Sequence, residues 1–251
     1  PLFADATGNA ILAEAAGCVC RVGREARAEY GESLAPEEGD PHTMGSSVLF
    51  ETEDAGRPVA FHAPAFSCDL TRSPVLQNIT RTGSSRDFSV RGYHWTYEYG
   101  GQRDVVRDYN DVDLELRRLT YGIWDYIKNS GRFPEAENYV LKRVHTQSSL
   151  RESRRVLGEY TLTQRDIEEK RDFPDAVCIG GWPLDIHAPL GLYEPGPAAV
   201  NVPVNGVYGI PLRCFIARDA DNLLLAGRII SASHVALGSA RILATCASGE
   251  Q

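Results

Sequence analysis

The chain has 251 residues, and 26 Lys and Arg against 34 Asp and Glu give a formal net charge of −8. Apolar residues at 43% and charged residues at 24% are the balance of a folded globular protein, which excludes a disordered chain, a collagen-like fibre and a small disulfide scaffold. A pI near 5.3 argues against a dedicated nucleic-acid binder, which needs clustered Lys and Arg, and no run approaches the ~20 apolar residues of a membrane span. The six cysteines (18, 20, 68, 178, 214 and 246) include no CxxC pair and read as mostly buried small hydrophobes in a reduced, cytoplasmic setting.

In chain order, Leu2-Phe3-Ala4 reads as the end of a buried strand, broken by Thr7-Gly8. Residues 11–16 form a short apolar helical stretch that Gly17 can cap. Residues 21–44 carry Arg24, Glu25, Arg27, Glu29, Glu32, Glu37 and Glu38, broken by Pro36, Gly39 and Pro41, and read as a solvated helix followed by a loop. Residues 46–50 and 59–61 look like strands around a turn at 51–56. Residues 93–99 alternate aromatic and polar side chains, which predicts a strand with one packed face, ending at Gly100-Gly101.

Residues 111–129 give the clearest helix. Val112, Leu116, Leu119, Ile123, Trp124 and Ile127 recur at spacings of three and four on one face, Asn110 or Asp111 can serve as N-cap, and Gly131 lies just past the end. Thr163-Gln164-Arg165-Asp166 is a capping-box-like start to a second, shorter helix. Asn222-Leu223-Leu224-Leu225-Ala226 reads as a fully buried strand, Gly227 opens a turn, and a helix beginning at Ser239 has barely started when the chain reaches Gln251. A chain that opens in mid-strand and stops in mid-helix reads as a fragment, or as one piece of a larger polypeptide. The order of elements fits an α/β frame with an α+β insertion.

Several stretches are polar in ways that packing does not require. Arg151-Glu152-Ser153-Arg154-Arg155 sets three guanidinium groups beside a carboxylate, which suits an anion clamp or an internal salt-bridge cluster. Residues 180–187 place two glycines before Trp182, Asp185 and His187, either a pocket wall with an ionisable pair or a tight turn with a core histidine. Tyr208 and Arg213 bring a phenol and a guanidinium to one segment. The densest segment is 227–241, where a buried strand feeds a Gly-led loop and then a helix N-terminus, whose unpaired N–H groups suit a phosphate or an anionic ring. His234 is the one imidazole in that loop and a candidate proton carrier. No GxSxG, HExxH, GxGxxG or Walker A sequence occurs, and no metal site is supported.

Together these segments resemble the bacterial FAD-dependent oxidoreductase family of the glutathione-reductase-like flavoprotein superfamily. The resemblance is carried by Phe3-Ala4-Asp5-Ala6-Thr7-Gly8, Gly23-Arg24-Glu25, and residues 31–37, 121–129, 151–155, 180–187 and 222–246, in order across essentially the whole chain. It implies a partial FAD-binding, Rossmann-like domain made of residues 1–17 and 222–251, and a substrate domain with mixed or antiparallel sheet and helices over 18–221. The glycine-rich dinucleotide fingerprint of such families would precede Pro1. By the same resemblance Ala6, Thr7 and Gly8 are the second flavin-contacting turn, with Asn9 where many relatives carry Asp. Gly227, Arg228, Ser239, Ala240 and Arg241 would form the C-terminal flavin site, and His234, His187, Arg154, Tyr208 and Arg213 would face the pocket over the flavin.

The implied reaction is hydride transfer between flavin N5 and a small hydroxylated or carboxylated substrate. His234 or His187 would move the substrate proton, and Arg213 or the Arg154 cluster would fix the substrate. The isolated chain is expected to be inactive. Two readings stand beside this one: a non-catalytic ligand-binding or interaction module of the same fold, and a companion chain that carries the missing FAD-binding half and is drawn to an unpaired strand edge.

Overall fold

The computed structural model describes residues 1–81, 90–91, 93–94 and 96–250, with backbone alone at 79–81, 93 and 94. Among these residues the protein is mixed α/β, with short sheets of two or three strands and seven α-helices. No helix of the described residues is long and apolar enough to cross a membrane. None of the six cysteines is in a disulfide; Cys18, Cys178 and Cys214 are buried and the other three are half-buried. The chain forms two compact units, one of residues 1–43, 152–187 and 199–251, the other of 44–151 and 188–198. These bounds run elsewhere than 17/18 and 221/222, since residues 18–43, 152–187 and 199–221 fold with both ends of the chain.

In the first unit, strand Phe3–Asp5 pairs in parallel with Leu223–Leu225, Phe3 opposite Leu223. It is the one parallel pair of strands among the described residues, where Leu162 and Ala232 add a single isolated parallel bridge. Leu223 and Leu225 are buried as expected, but Leu2, Phe3 and Ala4 are exposed, and Asp5 alone of the strand Phe3–Asp5 is buried. The expectation of a buried first strand is corrected: among the described residues the strand pairs on one side only, and its outward side chains are exposed. Asp5 then organises the turn that follows. One carboxylate oxygen accepts the Thr7 N–H at 2.9 Å and the Thr7 hydroxyl at 2.7 Å, and the other accepts the Ala13 N–H at 2.8 Å. Helix Ile11–Ala15 is therefore capped from six residues upstream of its start, and Gly17 adopts the left-handed conformation after it. Burial works against the Asp5 charge, but these hydrogen bonds outweigh it and hold the carboxyl below its ordinary range.

Three antiparallel ladders complete the unit's sheets. Ala176–Gly180 pairs with Tyr208–Pro211, Leu184–His187 with Ala199–Val202, and Cys20–Arg21 with Arg155–Val156. Helix Gln164–Glu168 opens on the anticipated capping box, with Thr163 and Asp166 bonding reciprocally. At the end of the chain the single helix from Ser239 is replaced by two. His234–Ala240 is the first and Leu243–Gly249 the second, with extended backbone at Ile242 between them. The loop read between Gly227 and Ser239 is thus mostly helix, because Ser233, not Ser239, supplies the cap by accepting the Ala236 N–H at 3.1 Å.

In the second unit, strand Phe50–Asp54 lies between Tyr93–His94 and Tyr139–Val144, all antiparallel, and Ser46–Ser47 pairs with Glu98–Tyr99. The turn expected at 51–56 is therefore strand up to Asp54, and 59–61 is not a strand. The Glu- and Thr-rich strand carries little alternation, since Phe50 alone is buried, Glu51 and Thr52 are half-buried, and Glu53 and Asp54 are exposed. Trp95, in the middle of the aromatic strand read at 93–99, lies outside the described residues. Helix Tyr109–Asn129 starts two residues earlier than the pattern suggests, with Asp108 at the N-cap instead of Asn110 or Asp111. All six residues of its apolar stripe are buried, and Leu119, Ile123, Trp124 and Ile127 join Phe50, Val75 and Leu192 in one core. At its C-terminal end the Lys128 ammonium donates to the carbonyls of Ala136, Glu137 and Tyr139 at 2.7, 2.9 and 2.9 Å, where a cation also suits the helix dipole.

Two stability predictions follow from these contacts. A Cβ at Gly122 would collide with the backbone oxygen of Cys68, so Gly122→Ala loses more by overpacking than the ~1 kcal/mol that alanine gains in helix propensity. The expected net loss is about 1–3 kcal/mol, read as a lower midpoint in urea. Asp5→Asn removes a charged acceptor from three donors, with an expected loss of about 1–3 kcal/mol at neutral pH. Because the folded-state pKa of Asp5 is depressed, its contribution is present above the unfolded carboxyl range near pH 4 and disappears as pH falls through the folded value. The wild-type and Asp5→Asn midpoints should converge in acid, and parallel pH profiles would refute this.

Candidate functional site

The sequence candidates fall into separate groups, and the first centres on Asn9. Arg154 Nη1 donates to the Asn9 carbonyl at 3.2 Å, and Arg228 Nη2 donates to Asn9 Oδ1 at 2.9 Å. Ser153 donates to the Gly8 carbonyl at 3.1 Å, and Arg154 also pairs with Glu14 at 3.2 Å. Gly8 and Gly227 both have positive φ, 71° and 74°. A Cβ at Gly8 would stand 3.1 Å from both terminal nitrogens of Arg228, so the glycine leaves the guanidinium lying over the turn. Ala6 and Thr7 beside it are exposed. Arg228 is a poorly satisfied cation. Its Nε is buried without a partner, no carboxylate pairs with it among the described residues, and burial pushes its guanidinium down from the ordinary range.

The second group is a closed ring of buried charge. Arg155 is 1% exposed and donates from Nη1 to Glu25 Oε1 at 2.8 Å and to the Ala232 carbonyl at 3.1 Å. Its Nη2 donates to the Gly23 carbonyl, and its Nε faces Glu152 Oε1 at 3.4 Å. Glu152, wholly buried, meets His234 Nδ1 at 3.0 Å through Oε1 and 2.9 Å through Oε2. Glu25 Oε2 accepts the His234 backbone N–H at 2.8 Å and so closes the ring. Nε2 of His234 is buried and has no partner among the described residues. Alongside, Glu32 Oε1 accepts the Gln164 N–H at 2.7 Å and the Ser233 hydroxyl at 2.5 Å, while its Oε2 is buried without a partner. Burial pushes the Glu32 carboxyl up, and those two hydrogen bonds only partly offset it.

This ring alters two expectations. Residues 21–44 are not simply a solvated face, since Glu25 and Glu32 lie in the interior. The helix N-terminus read as an open anion site is capped from within, by the Glu25 carboxylate on the His234 N–H and by Ser233 on Ala236. Glu25 and Glu32 read only as members of a polar run, and Glu152 only as the carboxylate of the 151–155 cluster, so none of the three was a site candidate. The one available signal is that each glutamate sits within two residues of a glycine or of another charged residue in a short apolar-flanked loop, which does not separate buried from exposed acids.

A third group lines the far end of helix His234–Ala240. The Tyr208 hydroxyl donates to Ser239 Oγ at 2.7 Å, and Ser239 in turn donates to the Trp182 carbonyl. Burial raises the Tyr208 phenol to about 12, so it stays neutral. Ser239 and Ala240 are wholly buried. On the neighbouring strand, His187 Nε2 lies 2.9 Å from Asp185 Oδ2, and Arg241 Nη2 reaches Asp185 Oδ2 and its carbonyl at 3.4 Å. Burial disfavours the Asp185 charge, but His187, Arg241 and Asn201 together hold its carboxyl below the usual range. Arg213 stands apart from all three groups: it pairs with Asp175 at 2.9 Å and covers the Tyr160 ring at 5.2 Å.

In the second unit Arg151 pairs with Glu98 at 3.3 Å and donates to Ser47 Oγ at 2.8 Å, so all three arginines of 151–155 are engaged by the chain itself. A cleft of about 350 Å³ in that unit is lined by Phe61, Tyr121, Trp124, Leu141 and Val144 and by none of the sequence candidates. Among the described residues no group of three or more His, Cys, Asp or Glu side chains can hold a metal ion.

A family model described as FAD dependent oxidoreductase matches residues 1–251. No curated protein matches the chain, and no solved structure does. The match runs through the Asn9 turn, the buried ring and the paired terminal strands alike, and by it the chain belongs to the FAD dependent oxidoreductase family, whose cofactor is FAD.

Proposed function

We propose that the Gly8–Asn9–Arg228 cluster receives an anionic part of FAD and that the protein oxidises a small hydroxylated or carboxylated substrate, with His234 moving the proton. The single observation that carries the first part is Arg228, a largely desolvated guanidinium with an unsatisfied Nε and a neutral asparagine in place of a counter-ion. A pyrophosphate supplies the charge and acceptors that such a group lacks. Gly227 and Gly8 keep both turns free of side chains next to it, and the exposed Ala6 and Thr7 border the same turn. The residues therefore fit the cofactor. Ser239 and Ala240 fit less directly, since they are buried and Ser239 is already engaged. The Rossmann-like frame of the resemblance stays part of this proposal, supported by the parallel pairing of Phe3–Asp5 with Leu223–Leu225.

FAD, when bound, accepts or donates the hydride equivalent. The rest falls to side chains. Oxidation of a substrate C–OH releases the hydroxyl proton, and His234 takes it at Nε2, the ring nitrogen that the chain leaves without a partner. His187 is the lesser candidate, because its Nε2 is occupied by Asp185. Arg213, paired and on the surface, is a weak candidate for holding substrate, and Arg154 is closer to the cofactor turn. A second reading, an interaction module that joins a companion chain, is favoured by the exposed apolar residues Leu2, Phe3, Ile11 and Leu12 on and after the first strand.

The purified protein should show a bound-flavin absorption spectrum, and a colourless protein would favour the interaction module. Arg228→Ala should weaken FAD binding about 10- to 100-fold in a fluorescence titration of the apoprotein, and unchanged affinity would remove Arg228 from the cofactor site. Anaerobic mixing with lactate, glycerate, gluconate and sorbitol should bleach the flavin with at least one of them. His234→Gln should slow that bleaching by about 10²- to 10⁴-fold, and a wild-type rate would exclude the proton role.

A further inference from the structure

We infer that Glu152 is the positioning residue for His234: it fixes the imidazole as the Nδ1–H tautomer and so reserves Nε2 for proton uptake. This rests on the proton role given to His234 above and names the group behind it.

The argument starts from donor and acceptor chemistry. An ionised carboxylate only accepts, so a ring nitrogen 2.9 and 3.0 Å from the two Glu152 oxygens carries the hydrogen. In a neutral imidazole the other nitrogen is then the lone-pair nitrogen. That nitrogen is Nε2, buried and without a partner among the described residues. A buried imidazole in a merely structural role normally satisfies both nitrogens, because an unpaired buried acceptor is costly.

The ring is also held against rotation. Glu152 grips the side chain of His234, while Glu25 grips its backbone N–H at 2.8 Å. Both carboxylates are tied to Arg155, at 2.8 Å for Glu25 and 3.4 Å for Glu152. Glu152 Oε1 therefore faces both a guanidinium that can only donate and the imidazole, and Oε2 faces the imidazole as well. When a proton arrives at Nε2, the imidazolium forms directly against the Glu152 charge, in an interior where that attraction is weakly screened. Glu32, the other nearby acid, accepts from Gln164 and Ser233 through Oε1, and its charge also favours a protonated His234 ring, without a hydrogen bond to it among the described residues.

The substitution that separates positioning from packing is Glu152→Gln, which keeps the shape. The Arg155 guanidinium, with Nε 3.4 Å from Glu152 Oε1, favours the amide oxygen on that side, which leaves the amide NH₂ in the Oε2 place, 2.9 Å from His234 Nδ1, where it donates. The tautomer should therefore switch to Nε2–H. The experiment is ¹⁵N NMR of protein carrying ¹⁵N-labelled histidine, at about pH 9 and thus above the ordinary imidazole range, with His234→Gln to assign the resonance. The wild type should carry its ring proton on Nδ1, and Glu152→Gln should carry it on Nε2. An Nε2–H ring in the wild type overturns the inference even if the variant does not fold, and so does an unchanged Nδ1–H ring in a folded Glu152→Gln protein. A wild-type bleaching rate in His234→Gln would remove the proton role instead, and would leave the tautomer result as it stands.

Discussion

Arg155 is the residue on which the first unit depends. A guanidinium taken out of water carries a desolvation cost of several kcal/mol even after relaxation, and the fold offsets it with hydrogen bonds at both terminal nitrogens and a carboxylate 3.4 Å from Nε. Two glutamates, two backbone carbonyls and, through the glutamates, His234 are arranged around it. Those partners come from three stretches far apart in sequence, around residues 23–25, 152 and 232–234. One buried cation thus fixes the relative positions of three loops that hydrophobic contacts alone would leave free to slide. The fixed loops then decide where the histidine ring sits and which of its nitrogens is spoken for.

Periodicity and local capping were legible in the sequence, because both are short-range. The stripe from Val112 to Ile127 announces its buried face through spacing alone, and Thr163 with Asp166 announces its cap through four consecutive residues. Burial of charge was not legible. Glu25 and Glu32 stand in a run that also holds exposed Glu37 and Glu38, and hydropathy assigns all four alike. What separates them is the partner, Arg155 for one and the Gln164–Ser233 pair for the other, more than 100 residues away. The helix at His234 was misplaced for a related reason. Two serines could cap it, and the choice of Ser233 over Ser239 follows from Tyr208 and Trp182 engaging the second hydroxyl.

The candidate site was partly legible in the same sense. The Gly8 and Gly227 turns and His234 were visible as residue types suited to a flavoprotein, and the family itself is the one that the whole-chain match gives. Their sorting was not visible. Arg154 and Arg228 share one asparagine, Tyr208 and His187 belong to the far end of the helix that His234 begins, and Arg213 belongs to a surface pair with Asp175. A sequence segment such as 208–213 suggests proximity, yet its tyrosine turns inward and its arginine outward. The proline at 211 ends the strand between them and lets the chain change direction.

The parallel pairing of residues 3–5 with 223–225 bears on how the chain is made. About 220 residues separate the two partners, so the ladder cannot close until residues 223–225 have left the ribosome. At ordinary elongation rates that is about 10–45 s during which Phe3–Asp5 lacks its partner strand Leu223–Leu225. The Arg155 ring has the same schedule, because His234 is translated after Glu25, Glu152 and Arg155 and supplies the last link. Residues 44–151 carry no such debt to the end of the chain apart from the short segment 188–198, and can acquire most of their core while the remainder is still being synthesised.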